Sequence, residues 1–496
     1  MLTSRWKAGL AVAAALAGGL ARAEQPTASE RWQAMANADL DAVHALVRDA
    51  HPGVIDDENP GFNAWVDAGY DEAKALIPFV RSYDNALAVV RYYTSGFEDG
   101  HFAYSDDIRE DFPVIVTGWN ITRQDRQYVV AASLSDWPAP LPPVGAQWTG
   151  CDGLPAETVL RTRIGPFSDR RSDEGSERIR IASLWKHLPT ADNLRNCTFV
   201  TRSGQLLNFP VAYHPIDQDL FFDSFPRGQD GSRRAVNDFE IKENVLWVRA
   251  GNFDLRAESA ELEELNAMLD GLRATGSTRA IVFDVRGNGG GDSGIGDRIL
   301  EAATGGLEFD QVDIDSLPRY FAQWRVSDHL IRYLSSFIDR LSSLYGPSST
   351  RTAKAIAFRD KVIAARAAGE RWVEQDAGRT LSRDDVIARR GRLRRTDARL
   401  FLLTDSGCAS ACLDFADVVL QVPGATHIGQ TTSADSVYMV GSDARMPSGN
   451  HVIMPVKVWR NRPRGNNQPY VPDIAIDLSA AEPEIRRQVL RVLDGE

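Results

Sequence analysis

Leu40, Val43, Leu46 and Val47 recur at the three- and four-residue spacing of one helix face, and Ala86, Leu87, Val90 and Tyr93 mark a second. Pro52, Pro60 and Pro78 interrupt the pattern, so residues from about 30 to 97 predict a small helical unit. The period then shortens. Between about 111 and 237 the apolar residues fall in short runs such as Pro113-Val114-Ile115-Val116 and Tyr128-Val129-Val130-Ala131-Ala132, separated by proline- and glycine-rich breaks, notably Trp137 to Gly145. These predict a β-rich middle region. A third pattern begins at Val245-Leu246-Trp247-Val248: a strand, a helix with Leu262, Leu265, Met268, Leu269 and Leu272 on one side, and the apolar strand Ala280 to Val285. Strand, helix, strand in that order predicts a crossover unit and an α/β layer. From about 305 to 398 the pattern is mostly helical, with a basic run from Arg389 to Arg395 that reads as a solvated face. The apolar run ending at Leu403 then predicts a buried strand. Leu413, Ala416, Val419 and Leu420 predict the helix after it, and alternation around Val452 to Val458 predicts a further strand before a terminal helix.

Composition adds limits. A chain of 496 residues with a 43% hydrophobic and 25% charged share is an ordinary globular protein long enough for two or three domains. Its net charge of -12 argues against a polyanion, nucleic acid or an anionic membrane, as the main partner. Arg5 and Lys7 precede the apolar run Ala8 to Leu20, and Ala21-Arg22-Ala23 offers small residues at a cleavage site, so residues 1–23 read as a signal peptide and the mature protein as exported, periplasmic or secreted. No later stretch reaches spanning length, and no stable membrane insertion is expected after cleavage. Export places the four cysteines in an oxidising compartment. Cys151 and Cys197 share one region and could pair. Cys408 and Cys412 could form a short-range bridge or pack as small apolar residues.

Three stretches carry candidate chemistry. Thr404-Asp405-Ser406-Gly407 ends a strand, and Ser410 falls at the junction with the following helix. There it either caps the helix or, beside free backbone N–H groups and the positive end of the helix dipole, attacks a carbonyl. Arg286-Gly287-Asn288-Gly289-Gly290-Gly291-Asp292 follows the Ala280 strand; it is a flexible turn or a nest of N–H groups for an anion. No Gly-Lys-Ser/Thr follows, so a nucleotide reading fails. His101 stands at the end of the first helical region, where Asp99-Gly100 stops a helix. Taken alone it is a turn histidine.

Taken together, the stretches resemble a family. Asp284 to Gly291 is similar to the strand and glycine loop of the tail-specific, or C-terminal-processing, serine peptidases, and Leu403 to Ala411 resembles their nucleophile segment with Ser410 at the serine. Ile428-Gly429-Gln430-Thr431-Thr432 and Val471-Pro472-Asp473-Ile474 resemble further segments in the same order. The resemblance implies an α/β fold with a crotonase-like ββα catalytic core over residues 238–496 (the helical insertion at 305–398 included), an N-terminal helical domain over 24–110, and a β-rich, PDZ-like domain over 111–237. It implies hydrolysis of peptides or protein tails without metal or organic cofactor. The family's dyad lysine would fall at Asp435, and the only lysine after Ser410 is Lys457, so the chain resembles the tricorn-core-like branch that uses a histidine. By that resemblance Ser410 is the nucleophile, His101 the general base and Gln468 the residue orienting His101. The Ala411 N–H and one from Gly289, Gly290 or Gly291 form the oxyanion hole. Asp414 and Asp435 are alternative acids, each expected as a surface charge. A rival reading, prompted by the uncharged Gln468, is a peptidase-fold protein that binds peptides without turning them over.

Overall fold

The computed structural model describes residues 27–106, 112–124, 127–217, 236–255, 260–305, 321–376, 397–422 and 424–495. The predicted signal peptide and the basic run at 389–395 lie outside them.

Three helices, Ala28–Ala50, Phe62–Leu76 and Tyr83–Ser95, open the described chain. Thr27 and Glu30 form a reciprocal capping box at the first, and Pro52 stands at the start of the short turn that follows it, where its missing N–H costs nothing. Leu40, Val43, Leu87, Val90 and Tyr93 bury their stripe against Val452, Met454 and Val458 of a strand much later in the chain.

That strand, His451–Arg460, is the centre of an antiparallel sheet. Along one edge it pairs with Ala103–Ser105 near its start and with Phe321–Arg325 towards its end, and along the other edge with Tyr438–Arg445; Phe321–Arg325 pairs in turn with Trp372–Asp376. The helical prediction for 305–398 is therefore right only in part. The Asp328–Tyr345 and Thr350–Ala367 helices form a hairpin, but the segments flanking it are strands of this sheet. Trp324 and Val373 of these strands pack against the hairpin.

The second large sheet runs Asn237–Lys242, Val245–Ala250, Ala280–Asp284, Arg399–Thr404, Thr426–Gly429, Ile474–Ala475, parallel throughout except for the first pair. Both faces are covered. Leu246, Val248, Phe283 and Leu402 face the helices Ala260–Ala274, Ser293–Thr304 and Ala411–Val419. Val245, Trp247, Val282, Phe401 and Leu403 face the terminal helix Glu482–Asp494. Burial on two sides is why these strands read as unbroken apolar runs.

The middle region holds a separate antiparallel sheet of Trp119–Gln124, Gln127–Ser133, Gln147–Cys151, Asn196–Val200 and Leu206–Pro210. Its core is built on Trp119, Trp148, Leu160 and Phe199, and a Cys151–Cys197 disulfide ties two neighbouring strands.

Candidate active site

The site is assembled where parallel strands end. Ala280–Asp284 lies beside Arg399–Thr404 with Asp284 opposite Leu403, so the glycine loop and the Ser410 turn leave the same edge of the sheet side by side. Polar contacts then fix the two turns to each other. Asp405 accepts from Gly287 N–H at 3.0 Å and from Gly407 N–H at 2.9 Å, and the Asn288 carbonyl accepts from Ala409 N–H. The Arg286 guanidinium holds both oxygens of Asp284.

Gly290, at φ 108°, is pressed onto the Ser410 turn: a Cβ there would sit 2.7 Å from Ser410 Cβ and 2.8 Å from the Ala409 carbonyl oxygen. Only glycine fits both the conformation and the space.

Ser410 itself has φ 54° and ψ -121°, a conformation few non-glycine residues adopt. Its side chain caps nothing in the helix it precedes. The capping alternative thus falls away, and the hydroxyl instead meets His101, whose Nε2 lies 3.1 Å from Ser410 Oγ across 309 residues of sequence. A disulfide between the buried Cys408 and Cys412 closes around the same turn, so of the two expectations for these residues the bridge holds.

His101 comes from the turn between the Tyr83–Ser95 helix and the Ala103–Ser105 strand. Asp99 accepts the His101 backbone N–H at 2.8 Å, and its Oδ1 stands 3.7 Å from His101 Nδ1. The Asp99 side chain is only 1% exposed, so its charge acts through little water. Burial pulls the imidazole down, but Asp99 and, secondarily, Asp435 outweigh it, with Arg171 opposing, and the ring is held above its ordinary value. Burial likewise pushes the Asp99 carboxyl up, yet His101 and His51 prevail and hold it below the usual carboxylate range. The Arg171 guanidinium packs on Gly100, pairs with Asp169 and donates to the Ala434 carbonyl, pinning the turn between the middle region and the core.

The other named residues sit as follows. Gln468 does not reach His101: its Oε1 accepts the Gly465 N–H at 2.8 Å. Its neighbour Asn467 does touch this turn, donating from Nδ2 to the Glu98 carbonyl at 2.6 Å. The acid beside His101 is Asp99, two residues away. The Asp-Gly-His spacing was its signal in the sequence, there taken only as a helix stop.

Gly290 N–H is engaged by Asn288 Oδ1 at 2.9 Å, so the contact with Ser410 comes from the shape of Gly290 and not from a free donor. Gly289 is exposed with open space before it, and the Ala411 N–H stands in the first turn of its helix. Gly291 is held against Phe253.

Asp435 and Asp414 are not surface charges. Asp435 is buried between Arg462 and Arg464, and Arg464 also meets Asp417 at 2.9 Å and Asp414 at 3.5 Å. Burial, with Asp435 and Asp417 nearby, pushes the Asp414 carboxyl up to about 6. Burial brings Lys457 down to about 8, and its ammonium lies over the Trp459 and Trp324 rings at 4.3 and 5.2 Å.

Among the described residues, no group of three or more His, Cys, Asp or Glu is placed to hold a metal ion, and no helix is long and apolar enough to cross a membrane.

Comparison with known proteins gives one family. Residues 244–476 match the family model described as Peptidase family S41. No curated protein sequence matches the chain. Among solved structures, mature CPAF complexed with lactacystin superposes with a TM-score of 0.57 at 11% identity, covering 94% of this chain and 100% of that one. A second structure of mature CPAF gives 0.55 at 12% identity over 90% and 93%. The photosystem II D1 C-terminal processing protease gives 0.34 at 12% identity over 91% and 95%. The CPAF likeness shows a shared fold.

Proposed function

The chain belongs to peptidase family S41 and is a serine-type peptidase, and from that premise we propose that it is an exported hydrolase of peptides or protein tails in which Ser410 is the nucleophile and His101 the general base. The observation that carries the reading is the 3.1 Å contact between His101 Nε2 and a serine hydroxyl that caps no helix.

A serine hydroxyl is a weak nucleophile until a base takes its proton. His101 Nε2 takes it as Oγ attacks the carbonyl carbon, and the carbonyl oxygen becomes an anion. The N–H groups of Ala411 and Gly289 receive that anion, helped by the positive end of the Ala411–Val419 helix. As the tetrahedral intermediate collapses, the C–N bond breaks and His101 gives its proton to the leaving amine. Water then attacks the acyl ester by the same exchange and frees Ser410. Asp99 orients the ring through Nδ1 and stabilises the imidazolium, the task the sequence reading gave to Gln468.

The ββα core is crotonase-like in this proposal, and the middle domain PDZ-like, admitting a substrate tail as an added strand. Two disulfides fit an oxidising compartment and so support export. No nucleic acid partner is proposed for so acidic a chain.

Labelling of the pure mature protein with a fluorophosphonate probe tests the mechanism. Wild type is labelled, Ser410→Ala is not, and His101→Ala is labelled far more slowly; labelling that survives Ser410→Ala overturns the assignment. Equal binding of peptides ending in a carboxylate and in an amide would remove tail recognition.

A further inference from the structure

A second histidine lies beneath the His101 turn. His51 is completely buried, and its ring is boxed by Phe62, Phe97, Phe102 and Tyr438 with centroid distances of 4.5, 6.1, 5.7 and 5.1 Å. Phe97 and Phe102 are the two ends of the segment that carries Asp99 and His101. The His51 ring therefore abuts both ends of that turn.

Its tautomer is fixed. The Gly53 backbone N–H donates to His51 Nδ1 at 3.0 Å, so Nδ1 is the acceptor and the ring proton resides on Nε2. Burial drives the ring down to about 3, which keeps it neutral around pH 7. The Nε2–H is buried and has no hydrogen-bond partner among the described residues; Asp99 Oδ2, on the adjoining turn, is in the same position. A buried donor without an acceptor and a buried acceptor without a donor are each costly, and one hydrogen bond between them would relieve both.

We infer that His51 is a positioning residue for the reaction: its Nε2–H, unpaired in this structure, is the donor that the equally unpaired oxygen of Asp99 takes up when the turn tightens in the working enzyme, so that the other oxygen faces His101 Nδ1. The inference rests on the Ser410–His101 reading for its catalytic meaning, but the two unpaired buried groups are there without it. The charged groups around it are Asp99 on the turn, Asp56 after the first short helix, and Arg325, which donates to the His51 carbonyl from the neighbouring sheet. Around His101 they are Asp99, Asp435 and Arg171.

An aromatic box and a hydrogen-bond donor make opposite demands on a replacement. His51→Phe keeps the stacking and loses the N–H, whereas His51→Gln keeps an N–H and an acceptor for Gly53 but loses the ring. The full mature chain and both variants are titrated with the fluorophosphonate to separate the maximal labelling rate from probe affinity. Thermal unfolding is followed in parallel. We expect His51→Phe to lose about tenfold to a hundredfold in maximal rate with affinity unchanged, the worth of one hydrogen bond to a charged group. His51→Gln keeps more of the rate than His51→Phe although it is the less stable of the two. The reverse order, or a wild-type rate in His51→Phe, reduces His51 to packing and overturns the inference. Carbon NMR of the Asp99 carboxyl gives a readout independent of activity: its titration moves to higher pH in His51→Phe and not in His51→Gln. An unmoved titration also overturns the inference. Failure of wild type to label strikes the Ser410–His101 reading and leaves the carboxyl titration to decide the role of His51.

Discussion

The two turns that meet at the 3.1 Å contact are held by different forces. The Ser410 turn is fixed by backbone shape: a positive φ, a glycine pressed against it, a disulfide closed around it and a helix starting beneath it. The His101 turn is fixed by charge and aromatic packing, with Asp99 beneath the ring, Arg171 over Gly100 and His51 below. In the proposed mechanism the nucleophile must be aimed, which rigid geometry does well, whereas the base must have its proton affinity set, which burial and neighbouring charges do. Steric changes should therefore damage the first turn and charge changes the second.

The largest effects come from removing the reacting groups. Turnover of a peptide substrate is expected to fall by about a millionfold in Ser410→Ala, and comparably in His101→Ala, as when members of such a unit are deleted singly. A loss of less than about a hundredfold in His101→Ala would break the pairing of the turns.

Next in size is Asp99→Asn, which leaves shape nearly unchanged and removes the charge. A fall in kcat approaching about 10⁴ is expected at neutral pH. The pH profile carries the sign. Asp99 helps hold His101 above its ordinary value, and catalysis needs the neutral ring, so wild-type activity rises as pH passes upward through that raised value. In Asp99→Asn that limb moves to lower pH. A limb that stays in place would mean that Asp99 does not set the charge of His101.

Gly290→Ala tests the other turn by shape alone. With its Cβ placed against Ser410 Cβ and the Ala409 carbonyl, it should lose about 10² in kcat, the scale of a reacting group misplaced by about 1 Å. The pH limb should remain where it is, in contrast to Asp99→Asn. Rate measurements across pH on both variants make that comparison.

The smallest effects separate the two disulfides. Opening Cys151–Cys197, whose partners are 46 residues apart, should cost about 4 kcal/mol of stability by loop-closure entropy and leave kcat alone. Opening Cys408–Cys412, only 4 residues apart, should cost about 2 kcal/mol. It should also slow fluorophosphonate labelling, because it frees the backbone around Ser410. Denaturant melts and labelling rates of the two Cys-to-Ala double variants read both quantities; equal labelling in the two would remove the disulfide from the account of the Ser410 turn.

Much was legible without coordinates wherever local pattern and contact coincide. The stripe Leu40, Val43, Val47 is a buried helix face, and the unbroken runs at Val245, Ala280 and Arg399 are strands covered on both sides. The segments 321–325 and 372–376 were missed because their strand character comes from pairing with each other and with a distant partner, 451–460, not from their own period. Asp414 and Asp435 read as surface charges because the sequence does not show that Arg462 and Arg464 arrive to neutralise them.

For the site, the sequence alone determined the chemistry at hand: a serine between strand and helix, a glycine loop able to approach it, a histidine ending a helix. Those are local properties of backbone freedom and side-chain type. Only the tertiary structure decided which of them meet. It brought His101 to Ser410, gave Asp99 and not Gln468 the place beside the imidazole, and engaged Gly290 N–H with Asn288. The reason is physical: hydrogen bonds and charges act over a few ångströms, and a chain of this length closes such distances between residues hundreds apart only when its sheets and helices pack.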